Sequence, residues 1–272
     1  MSRRMGLTVT GLWLTGALVF ALSGCAGGGG TARGASGAAD LATESDKTPD
    51  QKRAQLRLEL AGGYFSKGQN LVALDEVKQS IALNPNSADA YSLRGLIYAR
   101  MGELDFADDS FKHALAIAPQ AAPIQHNYGV FLCQQGRTPE AEKLFNKALA
   151  SPGYADRVKT LTTLGLCQIK SGASAQGQKT LMRAYEIDPA NPLVGYNLAL
   201  TMAESGEWVR AQFYVGRIHA AGMRTPESLW LAIKAEQRLG DASAMAQLGS
   251  QLRTQFPSSP QAQWYERGAF NE

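Results

Sequence analysis

The sequence predicts an all-α protein, a right-handed superhelical solenoid of about six helix-pair repeats ended by a C-terminal capping helix. Three observations predict it. Small, aromatic and proline residues recur on a 34-residue period through most of the chain. Glycines stand at one fixed place in each period, where paired helices have to turn. No β-strand is evident anywhere along it.

The clearest copy starts at Ala88 and holds Tyr91, Gly95, Tyr98, Gly102, Ala107, Phe111, Ala114, Leu115 and Pro119, with Arg94 where Leu is usual before Gly95. Before it stand Leu60, Tyr64, Gly68, Ala73, Ile81 and Pro85. After it come Gly129, Gly136, Ala141, Phe145, Ala148 and Leu149, again 34 residues on. The fourth copy (Leu164, Gly165, Gly172, Leu181, Ala184, Pro189) is offset by 36, so the Ser151–Tyr154 turn carries two extra residues. A fifth shows Leu198, Ala199, Gly206 and Ala211; a worn sixth keeps Gly240 and Pro257 but has Gly249 where Phe belongs. These spacings match the tetratricopeptide signature. Small residues let two helix backbones approach, an aromatic fills the space between them, and proline marks the end of the second helix. One hairpin cannot bury its apolar face, but stacked neighbours can. The repeats span 54–257, and the tail 258–272, with Trp264, Tyr265 and Phe270, reads as a capping helix over the open end.

The first residues belong to another function. Arg3 and Arg4 precede an uncharged stretch from Leu7 to Leu22. At roughly 16 apolar residues it is short of the roughly 20 a membrane span needs, and it reads as a signal peptide, 1–24. Leu22-Ser23-Gly24-Cys25 resembles a bacterial lipobox, which implies diacylglyceride on Cys25. Ala26 is not the Asp that retains such proteins at the inner membrane, so the resemblance implies the outer membrane, facing the periplasm. Residues 25–53, with Gly27 to Gly30 and many Ala, Ser and Thr, form a flexible tether. Loss of the leader removes two arginines and no acid, leaving a near-neutral body without the electrostatic footprint of nucleic-acid binding.

Catalysis finds no support. His113, His126 and His219 share no metal-ligand spacing with one another or with Cys, and read as surface or groove histidines. There is no phosphate loop and no Ser-centred nucleophile elbow, and Asp108-Asp109 reads as a solvated helix face. No enzyme activity, cofactor, metal or small-molecule substrate is expected. Cys133 and Cys167, on neighbouring first helices, are close enough in a solenoid for a disulfide; two buried free thiols are the alternative, and the Cα spacing decides. Solenoids bind along a concave surface lined by the first helix of each repeat. Periodicity places there Leu58 and Phe65; Ser92, Leu96 and Arg100; His126, Val130 and Gln134; Thr162, Ile169 and Lys170; and Tyr196 and Leu200. The mixture suits an amphipathic or extended peptide.

The stretch His126-Asn127-Tyr128-Gly129-Val130-Phe131-Leu132-Cys133-Gln134-Gln135-Gly136, followed one repeat later by Thr163-Leu164-Gly165-Leu166-Cys167, resembles the PilF/PilW type IV pilus biogenesis/stability family. It departs at His126 and Thr163, where that family shows Asn. The resemblance implies a pilotin-like outer-membrane lipoprotein that supports the pilus secretin subunit, pilus formation and twitching motility, and a Cys133–Cys167 bridge. A scaffold lipoprotein docking peptidoglycan hydrolases is the alternative reading.

Overall fold

The computed structural model describes residues 44–271, so the signal peptide, Cys25 and most of the tether lie outside the described residues. A 3-10 turn at Glu44–Asp46 is followed by the compact unit Lys47–Glu272, which carries the α-helices. They form six antiparallel pairs: α1 (Pro49–Ser66) with α2 (Asn70–Leu83), α3 (Ala88–Met101) with α4 (Leu104–Ile117), α5 (Ala122–Gln134) with α6 (Thr138–Ala150), α7 (Arg157–Lys170) with α8 (Ser174–Ile187), α9 (Pro192–Glu204) with α10 (Trp208–Ala220), and α11 (Pro226–Leu239) with α12 (Ala242–Gln255). A short α13 (Pro260–Glu266) follows. Helix α1 starts at Pro49, earlier than the repeat boundary at Ala54, because Thr48 and Gln51 form a capping box ahead of the periodic residues.

The pairs close where the sequence puts small residues. A methyl group built on Gly95 would lie 3.0 Å from the Phe111 ring, and one on Gly129 would lie 2.9 Å from Phe145. Phe111 and Phe145 are wholly buried, as are Leu181 and Val77 at the same register of α8 and α2. These four repeats thus each carry one apolar side chain from the second helix against the first. Gly102 takes φ 83°, a left-handed conformation that ends α3 and turns the chain into α4.

The worn sixth repeat has a physical explanation. Gly249 occupies the register of Phe111 and Phe145, and any Cβ there would run into the Tyr265 ring. The cap helix therefore supplies in trans the aromatic that the repeat lacks. Around it Phe270 stacks on Trp230 at 5.6 Å with Trp264 at 6.0 Å, making a separate terminal core with Leu229, Ile233 and Leu252. Truncating Tyr265 to Ala should cost about 2–3 kcal/mol, below the roughly 3–5 kcal/mol of fully buried aromatics because the ring is half-buried. Gly249→Phe alone should also destabilise by overpacking. The double variant should lose clearly less than the sum in urea denaturation; simple additivity would show that Tyr265 does not fill the Gly249 site.

Candidate functional site

First helices of adjacent repeats adjoin, α1 with α3, α3 with α5, α5 with α7 and α9 with α11, while α7 and α9 are linked through α8. Side chains cross between them. Arg100 lies 3.8 Å over the Phe65 ring and donates from Nη1 to the Phe65 carbonyl at 2.9 Å, and Asn127 Nδ2 donates to Ser92 Oγ at 3.3 Å. Leu96, Val130, Tyr196 and Leu200 are half-buried, backed by the main core, while Leu58 and Phe65 sit on the N-terminal core; Gln134 and Lys170 are exposed.

Four expected groove residues are elsewhere or closed off. His126 is 4% exposed, its Nδ1 sharing a 2.9 Å hydrogen bond with Thr160 Oγ1, so it joins α5 to α7 instead of meeting a ligand. Thr162 is buried and donates to the Val158 carbonyl, and Ser92 is buried under Asn127. Ile169 turns toward α8 and fills the space above Gly177. The residue periodicity should have chosen is Leu166, 37% exposed. It stands 36 residues after Val130 and 34 before Leu200, so Leu96, Val130, Leu166 and Leu200 form one apolar ladder, one rung per repeat.

Two interlocks hold the middle of the groove. Cys133 and Cys167 are bonded across α5 and α7, Cα–Cα 5.9 Å. On the other side of the repeats, Asp108 is not a solvated carboxylate. It accepts from Tyr128 Oη at 2.8 Å, Arg137 Nη1 at 2.9 Å and Lys112 Nζ at 2.5 Å. Burial raises its carboxyl, but those three partners outweigh it and hold it below the usual range. Burial and the bond to Asp108 push the Tyr128 phenol up. His219 is also buried, sharing a 3.0 Å bond with Ser228 Oγ; His113 is exposed. Among the described residues no cluster of three or more His, Cys, Asp or Glu is placed to hold a metal, and no helix is long and apolar enough to cross a membrane.

This is a tetratricopeptide-repeat protein, a class whose concave surfaces bind other proteins, not a catalytic scaffold. Models described as TPR repeat and tetratricopeptide repeat match residues 63–102 and 88–120. The type IV pilus assembly protein PilF of Pseudomonas aeruginosa is 26% identical over 223 residues, 82% of this chain and 88% of that protein. The structure of PilW, described as a widely conserved type IV pilus biogenesis factor, superposes with TM-score 0.69 at 29% identity, covering 77% of this chain and 96% of that one. Pseudomonas aeruginosa PilF shares the fold, with TM-score 0.69 at 24% identity over 81% of this chain and all of that one. Within the repeat class, the chain is similar to PilF and PilW over most of its length.

The disulfide closes 34 residues, so its reduction should lower unfolding free energy by roughly 3–4 kcal/mol in the chain-entropy model, read as a lower urea midpoint with a reducing agent present. Burial lowers His126 and His219 from 6.5 to about 4. The unfolded chain then binds the extra protons, so stability holds above pH 6.5 and falls as pH drops from 6.5 toward 4. His126→Gln should flatten that fall; urea midpoints across the window check it.

Proposed function

We propose that this chain is a pilotin-like adaptor for type IV pilus biogenesis, held at the periplasmic face of the outer membrane by a lipid on Cys25. The observation that carries the reading is the alignment with PilF over 82% of this chain and 88% of that protein, one whose name is type IV pilus assembly. The likeness to PilW, a type IV pilus biogenesis factor, supports it. The groove supplies the means. Leu96, Val130, Leu166 and Leu200 offer apolar contact at regular intervals, and exposed Arg100 and Lys170 flank them. The partner is a segment of the pilus secretin subunit. A lipid on Cys25 holds the groove near a membrane-bound partner and raises its effective concentration.

The test is secretin multimer abundance in outer membranes of a strain lacking this protein. Multimers should fall, return with the wild-type chain, and return poorly with Cys25→Ser. Leu166→Lys should also restore them poorly while leaving the thermal midpoint within about 2 °C, because Leu166 is 37% exposed and a lysine stem can lie over the covered part with its charge in water. Unchanged multimers in the deletion strain would remove the secretin role and favour a scaffold for cell-wall enzymes.

A further inference from the structure

Past Leu200 the groove leads into a cleft that the ladder does not account for. It lies between the N-terminal turns of α9 and α11, with the end of α10 beneath, and encloses about 410 Å³. That is within the roughly 300–1,000 Å³ of ligand clefts. Its walls include Leu193, Tyr196, Ile218 and Met223, and Leu193 is 61% exposed at the mouth. An apolar side chain entering here would cover surface that now faces water.

One wall is charged and unpaired. Arg224 lines the cleft, and its Nε is shielded from solvent with no hydrogen-bond partner. Arg224 takes part in none of the ion pairs among the described residues. Glu227 stands at the exposed rim without bonding it. Ser228, on the floor, is engaged by His219 and by the Thr225 carbonyl. A guanidinium has five donors and no acceptor, so what completes this site is an anion. The other charges nearby balance, so Arg224 supplies the excess. Lys234 continues the ladder register 34 residues after Leu200, and Arg238 lies over the Trp208 ring. Against these stand Glu204 and Glu227.

We propose that this cleft seats one apolar side chain of an extended peptide whose neighbouring Asp or Glu side chain pairs with Arg224. The carboxylate is a side chain beside the seated residue, and the first-helix surface leads from the cleft along α9 to Leu200 and along α11 to Lys234, so an extended peptide can run on from it. The inference rests on the groove-binding reading above and adds the chemistry of one anchor.

The probe is a nine-residue peptide, acetylated and amidated, with a central Phe-Glu pair in a Gly-Ser host. It is titrated into the lipidated full chain in detergent, carrying methyl-labelled methionine, with Met223 assigned through Met223→Leu. The Met223 methyl signal should move saturably. A Phe-Gln peptide should bind at least about tenfold more weakly, the loss of a charge-assisted hydrogen bond. Arg224→Gln should erase that difference, and Arg224→Lys should keep part of it. A silent Met223, equal binding of Phe-Gln, or tighter binding of a Phe-Lys peptide would overturn the proposal. A silent Met223 together with lost secretin multimers in the deletion strain removes this site and leaves the pilus reading intact. A saturable Met223 response with unchanged multimers does the reverse.

Discussion

The structure depends on how closely the two helices of each repeat approach. At Gly95 and Gly129 even a methyl group would press on the Phe111 and Phe145 rings of the facing helices, at 3.0 and 2.9 Å. Gly165 meets Leu181 in the same way. Each contact sets the rotation of the first helix about its own axis. With Gly95 turned to α4, Leu96 is left on the free side, and the same holds for Val130, Leu166 and Leu200 in their repeats. The binding surface is thus a consequence of the core. The residues that cannot face the partner helix are the ones that remain for a ligand.

A ladder of separate rungs binds well only if its rungs keep their spacing, and the middle of the chain is braced for that. The disulfide ties α5 to α7 on one side, with His126 and Thr160 bonded nearby. Asp108 of α4 collects Tyr128 of α5 and Arg137 at the entry to α6. Gln168 of α7 donates to Glu142 of α6 at 2.7 Å. These crosslinks bear on the third and fourth repeats, where the family-like Phe-Leu-Cys and Gly-Leu-Cys segments lie. Ordering done in folding is not repeated at binding, which lowers the entropic cost of association.

The two ends are finished differently. At the C-terminal end Tyr265 of α13 and Phe270 beyond it pack into a core of their own. The first repeat instead leaves Leu56 and Leu60 of α1 largely exposed, at 61% and 47%. The groove changes character along the same direction, from Phe65 under Arg100 near its start to the cationic register of Lys234 and Arg238 at its close. An extended partner would meet that polarity in one orientation better than in the other.

The sequence by itself determined the repeat, its period, its helix pairs and the turns at Gly102 and its equivalents, because those depend on backbone conformation and on side-chain size at fixed spacing, and both are local. It also marked the apolar rungs Leu96, Val130 and Leu200. Only the tertiary structure decided what depends on a neighbour. His126 and Thr162 have the right period for the groove but are closed over by packing between adjacent helices. Ile169 belongs to the core and Leu166 to the groove, since Ile169 is turned onto Gly177 of the facing helix. Asp108 looked solvated until Tyr128 and Arg137, 20 and 29 residues away, were brought to it. Gly249 looked like a degenerate position, yet it is the space that Tyr265 fills. In each case the deciding partner lies on another helix, and the amphipathic period of a single helix carries no information about it.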